Sequence, residues 1–251
     1  MVRGVFVTGT DTGVGKTVVA CALAAWCRER GLDVGVMKPV ATGGHRRAGR
    51  WVSDDAVQLV QAAGSQDLWP LVNPVCFQEP LAPWTAARRA HRPLRLEPVL
   101  SAWRRLRARH QVLIVEGVGG LLVPLTAQTT VADLARRIRL PLLLVARPSL
   151  GTINHTLLSM HQARRDHLSV RGIVLNHAGP PDADPMARLA VRTNPDILRR
   201  LTHCPVFGPL PWLPPRRNGA AVSFVLSRWI EQGLGASTLR RLLIDTVGSL
   251  W

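Results

Sequence analysis

Lysine is almost missing from this chain: of 32 basic residues only Lys16 and Lys38 are lysines, and every other one is arginine. Uncharged apolar runs of 18 residues are also missing, so no transmembrane helix is expected. No C-x-x-C pair occurs, and no cysteine stands at metal-ligand spacing from a histidine. Cys21, Cys27, Cys76 and Cys204 therefore read as small buried hydrophobes. The net charge of +16 invites a nucleic-acid partner. Yet there is no dense basic arm and no aromatic cluster on which bases would stack. The arginines come as scattered pairs, such as Arg46-Arg47, Arg88-Arg89, Arg136-Arg137 and Arg199-Arg200. A general arginine bias on a solvated surface is the expected reading, favoured over a dedicated nucleic-acid site. No internal repeat or low-complexity segment is present.

The two surviving lysines draw attention for the same reason. A compact ammonium on a flexible stem reaches between phosphates where a flat guanidinium fits badly. Lys16 lies in "GTDTGVGKT", Gly9 to Thr17, and Lys38 in "KPV". Lys38 is thus a candidate site residue on composition alone.

With 251 residues and 47% hydrophobic content the chain suffices for one large core. Short apolar runs alternate with helical ones. Strands are expected at Val2–Thr8, Asp33–Val40, Gln111–Glu116, Leu140–Ala146, Arg171–Asn176 and Pro205–Phe207. Helices are expected at Lys16–Arg30, Asp54–Ala63, Leu96–His110, Thr130–Ile138, Thr152–Arg165, Asp184–Leu201 and Ala220–Leu234. Trp69–Pro98 reads as loop with a short helix near Trp84–His91. This alternation predicts an α/β fold with a mostly parallel sheet covered by helices on both faces. The pattern changes after "PWLPPRRNG". Residues 1–215 are expected to form the main domain, and 216–251 a helical extension packing on it or on a partner subunit. Ser237–Trp251 is amphipathic, but it is short and carries Asp245, which argues against membrane contact. The N-terminus enters the first strand at once, and a cleaved leader would remove strand and loop together. A cytoplasmic protein is expected.

Strand, glycine-rich turn and Gly-Lys-Thr opening a helix make a phosphate cradle. Backbone N–H groups surround a phosphate at the positive end of a helix. Lys16 would reach the β- and γ-phosphates, and the Thr17 hydroxyl would ligate Mg²⁺. Counted from Gly9, the loop is one residue longer than G-x-x-x-x-G-K-[ST]. Thr10, Asp11 and Thr12 place polar groups near the γ-phosphate. Magnesium needs carboxylates. "VLIVEGVGG" places Glu116 at the carboxyl end of a strand, where ligands gather in parallel sheets. "SDDA" offers Asp54 and Asp55 at a helix start, and the motif alone does not choose between them.

GTDTGVGKT, KPVATGG, SDDA, VNPVCFQEPLAP, VEGVGGLLVPL, GTINH and GPLPWL follow one another in that order. From about Val5 to about Leu213 the chain resembles the dethiobiotin synthetase family, with a P-loop NTPase type of fold. The resemblance implies ATP-dependent closure of 7,8-diaminopelargonate and CO₂ to dethiobiotin, ADP and phosphate. The implied route is a carbamate and then a carbamic–phosphoric anhydride. It implies Lys16, Lys38 and Thr12 as catalytic residues, and Thr17, Asp55 and Glu116 as the magnesium set, favouring Asp55 over Asp54. It implies a nucleotide site of Gly13, Val14, Gly15, Lys16, Thr17, Val18, Asn176, Pro209, Leu210 and Pro211. For the substrate it implies Thr12, Lys38, Thr42 and Gly119, with Gly151, Thr152 and Asn154 holding the carboxylate across a homodimer interface. An anion at a helix N-terminus is physically sensible.

Three departures stand out. Gly13 replaces a glutamate of some members, the chain runs past the expected end of the family pattern, and the charge exceeds what the reaction requires. Competing readings are an amidating synthetase of cobalamin-type precursors, a partition or positioning ATPase, and a degenerate scaffold homologue. The first needs an amidotransferase domain for which there is no room. The second usually carries an extra lysine early in the loop, where this chain has Gly9, Thr10 and Asp11. The third is opposed by the intact Lys16, Thr17, Lys38, Asp55 and Glu116.

Overall fold

The computed structural model describes residues 3–180, 183–214 and 220–244. Val2, Arg216, Arg217, Asp245 and the rest of the tail lie outside the described residues. β1 (Arg3–Gly9) runs into α1 (Lys16–Glu29). Then come β2 (Val34–Met37), β3 (Val40–Ala41), β4 (His45–Arg47), β5 (Arg50–Val52) and α2 (Asp54–Ala63). They are followed by α3 (Trp69–Val72), β6 (Val75–Cys76), α4 (Pro83–Arg89) and α5 (Leu96–Arg107). β7 (Val112–Gly120), α6 (Val131–Ile138), β8 (Leu142–Ala146), α7 (Thr152–Arg165) and β9 (Val170–Asn176) continue the alternation. It ends with α8 (Pro185–Thr202), β10 (Val206–Leu210), α9 (Ala220–Leu234) and α10 (Ala236–Leu243).

Six strands form one parallel sheet in the order β10-β9-β8-β1-β7-β2. Alternate side chains feed opposite layers, as the two-residue strand period requires. Val5, Val7, Val112 and Ile114 meet α1, α2, α9 and α10. Phe6, Leu113 and Val115 meet α4, α5 and α6 on the other face. Ile230, Leu239 and Leu243 are at most 1% exposed and share a cluster with Val19 and Leu23 of α1. At roughly 1.5–3 kcal/mol per fully buried side chain, α9 and α10 are part of this core layer. All four cysteines are free and buried. Among the described residues no helix is long and apolar enough to cross a membrane.

Three local expectations differ from the structure. Asp33–Val40 is not one strand: β2 ends at Met37 and β3 starts at Val40. Pro39 has no N–H for a ladder and disfavours helix in the residue before it. The Lys38 N–H instead donates to the Val72 carbonyl, 2.8 Å away. Trp69–Pro98 is more ordered than a loop, because β6 pairs with β3 and α3 and α4 flank that pair. The β4–β5 hairpin was not expected. Its turn places Ala48 and Gly49 at positive φ, as a two-residue hairpin loop demands.

Candidate active site

Sheet growth turns from one side of β1 to the other, the kind of switch point where α/β folds bind ligands. The phosphate loop leaves β1 there. Gly15 caps α1 at φ 93°, a region that disfavours any side chain. A Cβ at Gly15 would lie 2.0 Å from Asn176 Nδ2. The same amide donates to the Val14 carbonyl at 3.0 Å, tying the end of β9 to the loop. Lys16 is buried and donates to the Asp11 carbonyl at 2.8 Å. Burial, with Lys38 nearby, lowers its ammonium to a pKa of about 8.

Lys38 is delivered by the break between β2 and β3. Asn73, from the "VNP" stretch, donates through Nδ2 to the Lys38 carbonyl at 2.7 Å and fixes this turn. The Lys38 ammonium donates to Glu116 Oε1 at 2.6 Å and pairs with Asp55 Oδ2 at 2.7 Å. The Thr17 hydroxyl donates to the same Glu116 oxygen at 2.8 Å. Burial disfavours the charged Lys38, but Glu116 and Asp55 outweigh it and hold the ammonium above its ordinary range. Burial also pushes Asp55 upward, yet Lys38 overrides it and keeps that carboxyl below its usual range. At Glu116 complete burial wins and raises the carboxyl, against the pull of Lys38. Asp54 points elsewhere: its side chain is 78% exposed and lies 3.4 Å from His45.

β7 runs four residues beyond Glu116, further than expected. Val7 pairs with Glu116 and Gly9 with Gly120, so three residues of β7 oppose Thr8 alone. Such a bulge re-aims side chains next to a site, and Glu116 sits on the last regular rung. Its Oε2 is buried without a hydrogen-bond partner. Thr17, Asp55 and Glu116 thus offer hard oxygen donors, one of them with unused acceptor capacity, which suits Mg²⁺. Among the described residues no group of three or more His, Cys, Asp or Glu forms a cage. A magnesium ion would therefore take further ligands from water and phosphate, as it commonly does.

These groups line one cleft of about 660 Å³, within the usual size of a ligand site. Thr12, Gly13, Gly15, Lys16, Thr17, Val18, Lys38, Thr42, Asp55, Glu116, Gly119 and Asn176 all contribute. Its lining also includes His177, Trp212 and Leu213, which follow β9 and β10 on one side of β1, with Trp229, and Leu81, Pro83, Val118 and Val123, the last two at and just after the end of β7 on the other side. Pro209, Leu210 and Pro211 are not on its wall. Leu210 is fully buried in the core, and Trp212 and Leu213 face the cleft instead. Gly151, Thr152 and Asn154 also lie off this cleft, at the start of α7, with Thr152 buried and Asn154 exposed.

Sequence reasoning missed Gln58, His177 and Trp229 as cleft-lining residues. Gln58 lies one helical turn after Asp54 and Asp55, so a helix-face argument was available for it. Trp212 was inside a quoted motif. Trp229 lies far along the chain, and no spacing pointed to it.

A family described as AAA domain matches residues 3–219. The chain is 48% identical over 230 residues to the ATP-dependent dethiobiotin synthetase BioD of Anaeromyxobacter dehalogenans, covering 91% of this chain and 99% of that one. The protein of the same name from Bacillus licheniformis is 43% identical, covering 84% of this chain and 86% of its own length. That from Bacillus subtilis strain 168 is 39% identical, covering 84% and 88%. With a phosphate loop, a second lysine and two carboxylates meeting in one cleft, and these identities over nearly the whole length, the chain belongs to the ATP-dependent dethiobiotin synthetase family.

Proposed function

We propose that this chain makes dethiobiotin from 7,8-diaminopelargonate, CO₂ and ATP in biotin synthesis, as a cytoplasmic homodimer. The observation that carries the reading is Lys38: a second, non-loop ammonium held by Glu116 and Asp55 beside the phosphate-loop lysine. An ATPase that only switches or moves has no evident use for it, whereas transfer of phosphate onto a substrate carbamate does. One amine adds to CO₂ and loses a proton, giving a carbamate. A carbamate oxygen attacks the γ-phosphorus and ADP leaves. The second amine then attacks the carbamoyl carbon, phosphate leaves with its oxygen, and a second proton is released as the urea ring closes.

The protein's part is positioning and charge neutralisation. Lys16 and the loop amides hold the phosphates, while Lys38 offsets charge gathering between carbamate and γ-phosphate. Thr12, Thr42 and Gly119 border the substrate end, and the apolar wall of Leu81, Pro83 and Val123 suits a nine-carbon chain. Asn176, Trp212 and Leu213 stand at the nucleotide base. Thr17, Asp55 and Glu116 would hold Mg²⁺, which supplies charge neutralisation on the phosphate oxygens.

The dimer is supported by an apolar face around the start of α7 and on α8. Leu150 is 88% exposed, Leu158 61%, Met186 67% and Leu201 49%. Large exposed apolar side chains on two neighbouring helices are a candidate interface. Asn154 on that face would meet the substrate carboxylate from the partner's site. Asn154→Ala is expected to raise the diamine KM by about tenfold, the loss of a hydrogen bond to a charged group, and to leave MgADP affinity unchanged. A change confined to nucleotide affinity would remove the interfacial carboxylate site.

The function itself is tested by phosphate release from MgATP and bicarbonate, with and without the diamine, and mass spectrometry of the product. Diamine-dependent release with a dethiobiotin mass is expected. Release indifferent to the diamine and raised by DNA would overturn the reading in favour of a partition ATPase.

A further inference from the structure

The side of the cleft at Asn176 is lined in part by a residue from beyond the sheet. Trp229, on α9, lines the cleft with Trp212, Leu213 and Asn176. Its indole Nε1–H donates to the Pro211 carbonyl at 3.0 Å. The side chain is nearly buried, so this donor has little access to water as a substitute. α9 is itself held close to the site. A Cβ at Gly233 would lie 2.0 Å from Leu210 Cδ2, so α9 packs closely on the end of β10 and a methyl group there would require Leu210 to shift. At the far end of α1, Arg30 pairs with Glu231 at 2.5 Å. The end of β10 and the turn after it are thus held by one helix, through one side-chain hydrogen bond to Pro211 and one close packing contact with Leu210.

We propose that Trp229 is a positioning residue for the nucleotide base, which makes α9 part of the nucleotide site. Through its N–H it fixes the Pro211 carbonyl, and so the Trp212–Leu213 wall. Through its ring it supplies an aromatic surface where a purine enters. The proposal rests on the reading of this cleft end as the base site. It predicts that Trp229 acts on nucleotides with a base and not on the phosphates alone.

The test compares MgADP with magnesium tripolyphosphate, which has no base, by titration calorimetry on the full chain. Trp229→Phe keeps a ring and removes the donor, and Phe224→Ala alters an exposed position of the same helix. Trp229→Phe is expected to weaken MgADP about fivefold, as the loss of one neutral hydrogen bond does, with tripolyphosphate binding unchanged. Trp229→Leu, which removes the ring as well, is expected to weaken MgADP about twentyfold. The ATP KM should rise in step, with a much smaller change in kcat, and Phe224→Ala should bind MgADP as the parent does. Equal loss of MgADP and tripolyphosphate, or unchanged MgADP in both Trp229 variants, overturns the proposal. Because binding is read without turnover, a parent protein that binds MgADP but forms no dethiobiotin defeats the proposed function and leaves this test intact.

Discussion

Replacing Lys38 by alanine is expected to lower diamine-dependent turnover by roughly a thousandfold, the scale for removing a preorganised charge from a transition state. MgADP affinity should stay within about threefold of the parent. The separation follows from where the side chain comes from. Lys16 belongs to the glycine-rich loop between β1 and α1, whereas Lys38 enters from the end of β2 and touches Glu116 and Asp55. The truncation has a second effect, because Glu116 is fully buried and loses its cation. Breaking a buried pair by removing one partner costs about 3–5 kcal/mol. Thermal unfolding of Lys38→Ala must therefore be followed beside activity, and Lys38→Arg serves as a control that keeps the charge. A flat guanidinium does not replace a compact ammonium at this position, so Lys38→Arg should be folded and still slow by at least about a hundredfold. Parent-like turnover in either variant would take Lys38 out of the chemistry.

Glu116→Gln is expected to reduce turnover by about a hundredfold or more, and to raise the Mg²⁺ concentration for half-maximal rate at least tenfold. Glutamine preserves the shape and removes the charge. It also turns an acceptor toward the donors Thr17 and Lys38 into an amide with only one oxygen. In the parent, Oε1 already accepts from both Thr17 and Lys38, while the buried Oε2 has no partner. That spare oxygen is the one the amide nitrogen would replace. The measurement is a Mg²⁺ titration of diamine-dependent phosphate release. An unchanged magnesium dependence would show that Glu116 serves only to hold Lys38.

Much of the architecture was legible because its causes are local. α2 begins at Asp54 because the Ser53 hydroxyl accepts from the Ala56 N–H, a cap visible in the residues themselves. α7 from Thr152 and α9 from Ala220 follow from helical patterning of apolar side chains. The buried strands β7 and β8 follow from uninterrupted runs of Val, Leu and Ile bounded by polar residues. The phosphate loop was legible for another reason: close approach of backbone to phosphate tolerates few residue types, so its glycines and Lys16 appear together. Scarcity of lysine then pointed to Lys38 without any structural argument.

What remained hidden depends on pairs far apart in the chain. The break at Lys38-Pro39 is completed by Asn73 and Val72, and Asp55, which the residues alone did not separate from Asp54 although the family resemblance favoured it, is the one that pairs with Lys38. β7 overruns Glu116 because β1 supplies partners on both sides of a bulge. Thus the chain's own residues determined the alternating α/β plan, the phosphate cradle and the identity of both lysines. Only tertiary structure decided which carboxylate meets Lys38, how Glu116 keeps one oxygen unpartnered, and that Trp229 joins the wall of the cleft. The physical reason is that local propensity and spacing act over a few residues. A hydrogen bond such as Trp229 to Pro211, or an ion pair such as Lys38 to Glu116, exists only once the sheet and its helices have brought those residues together.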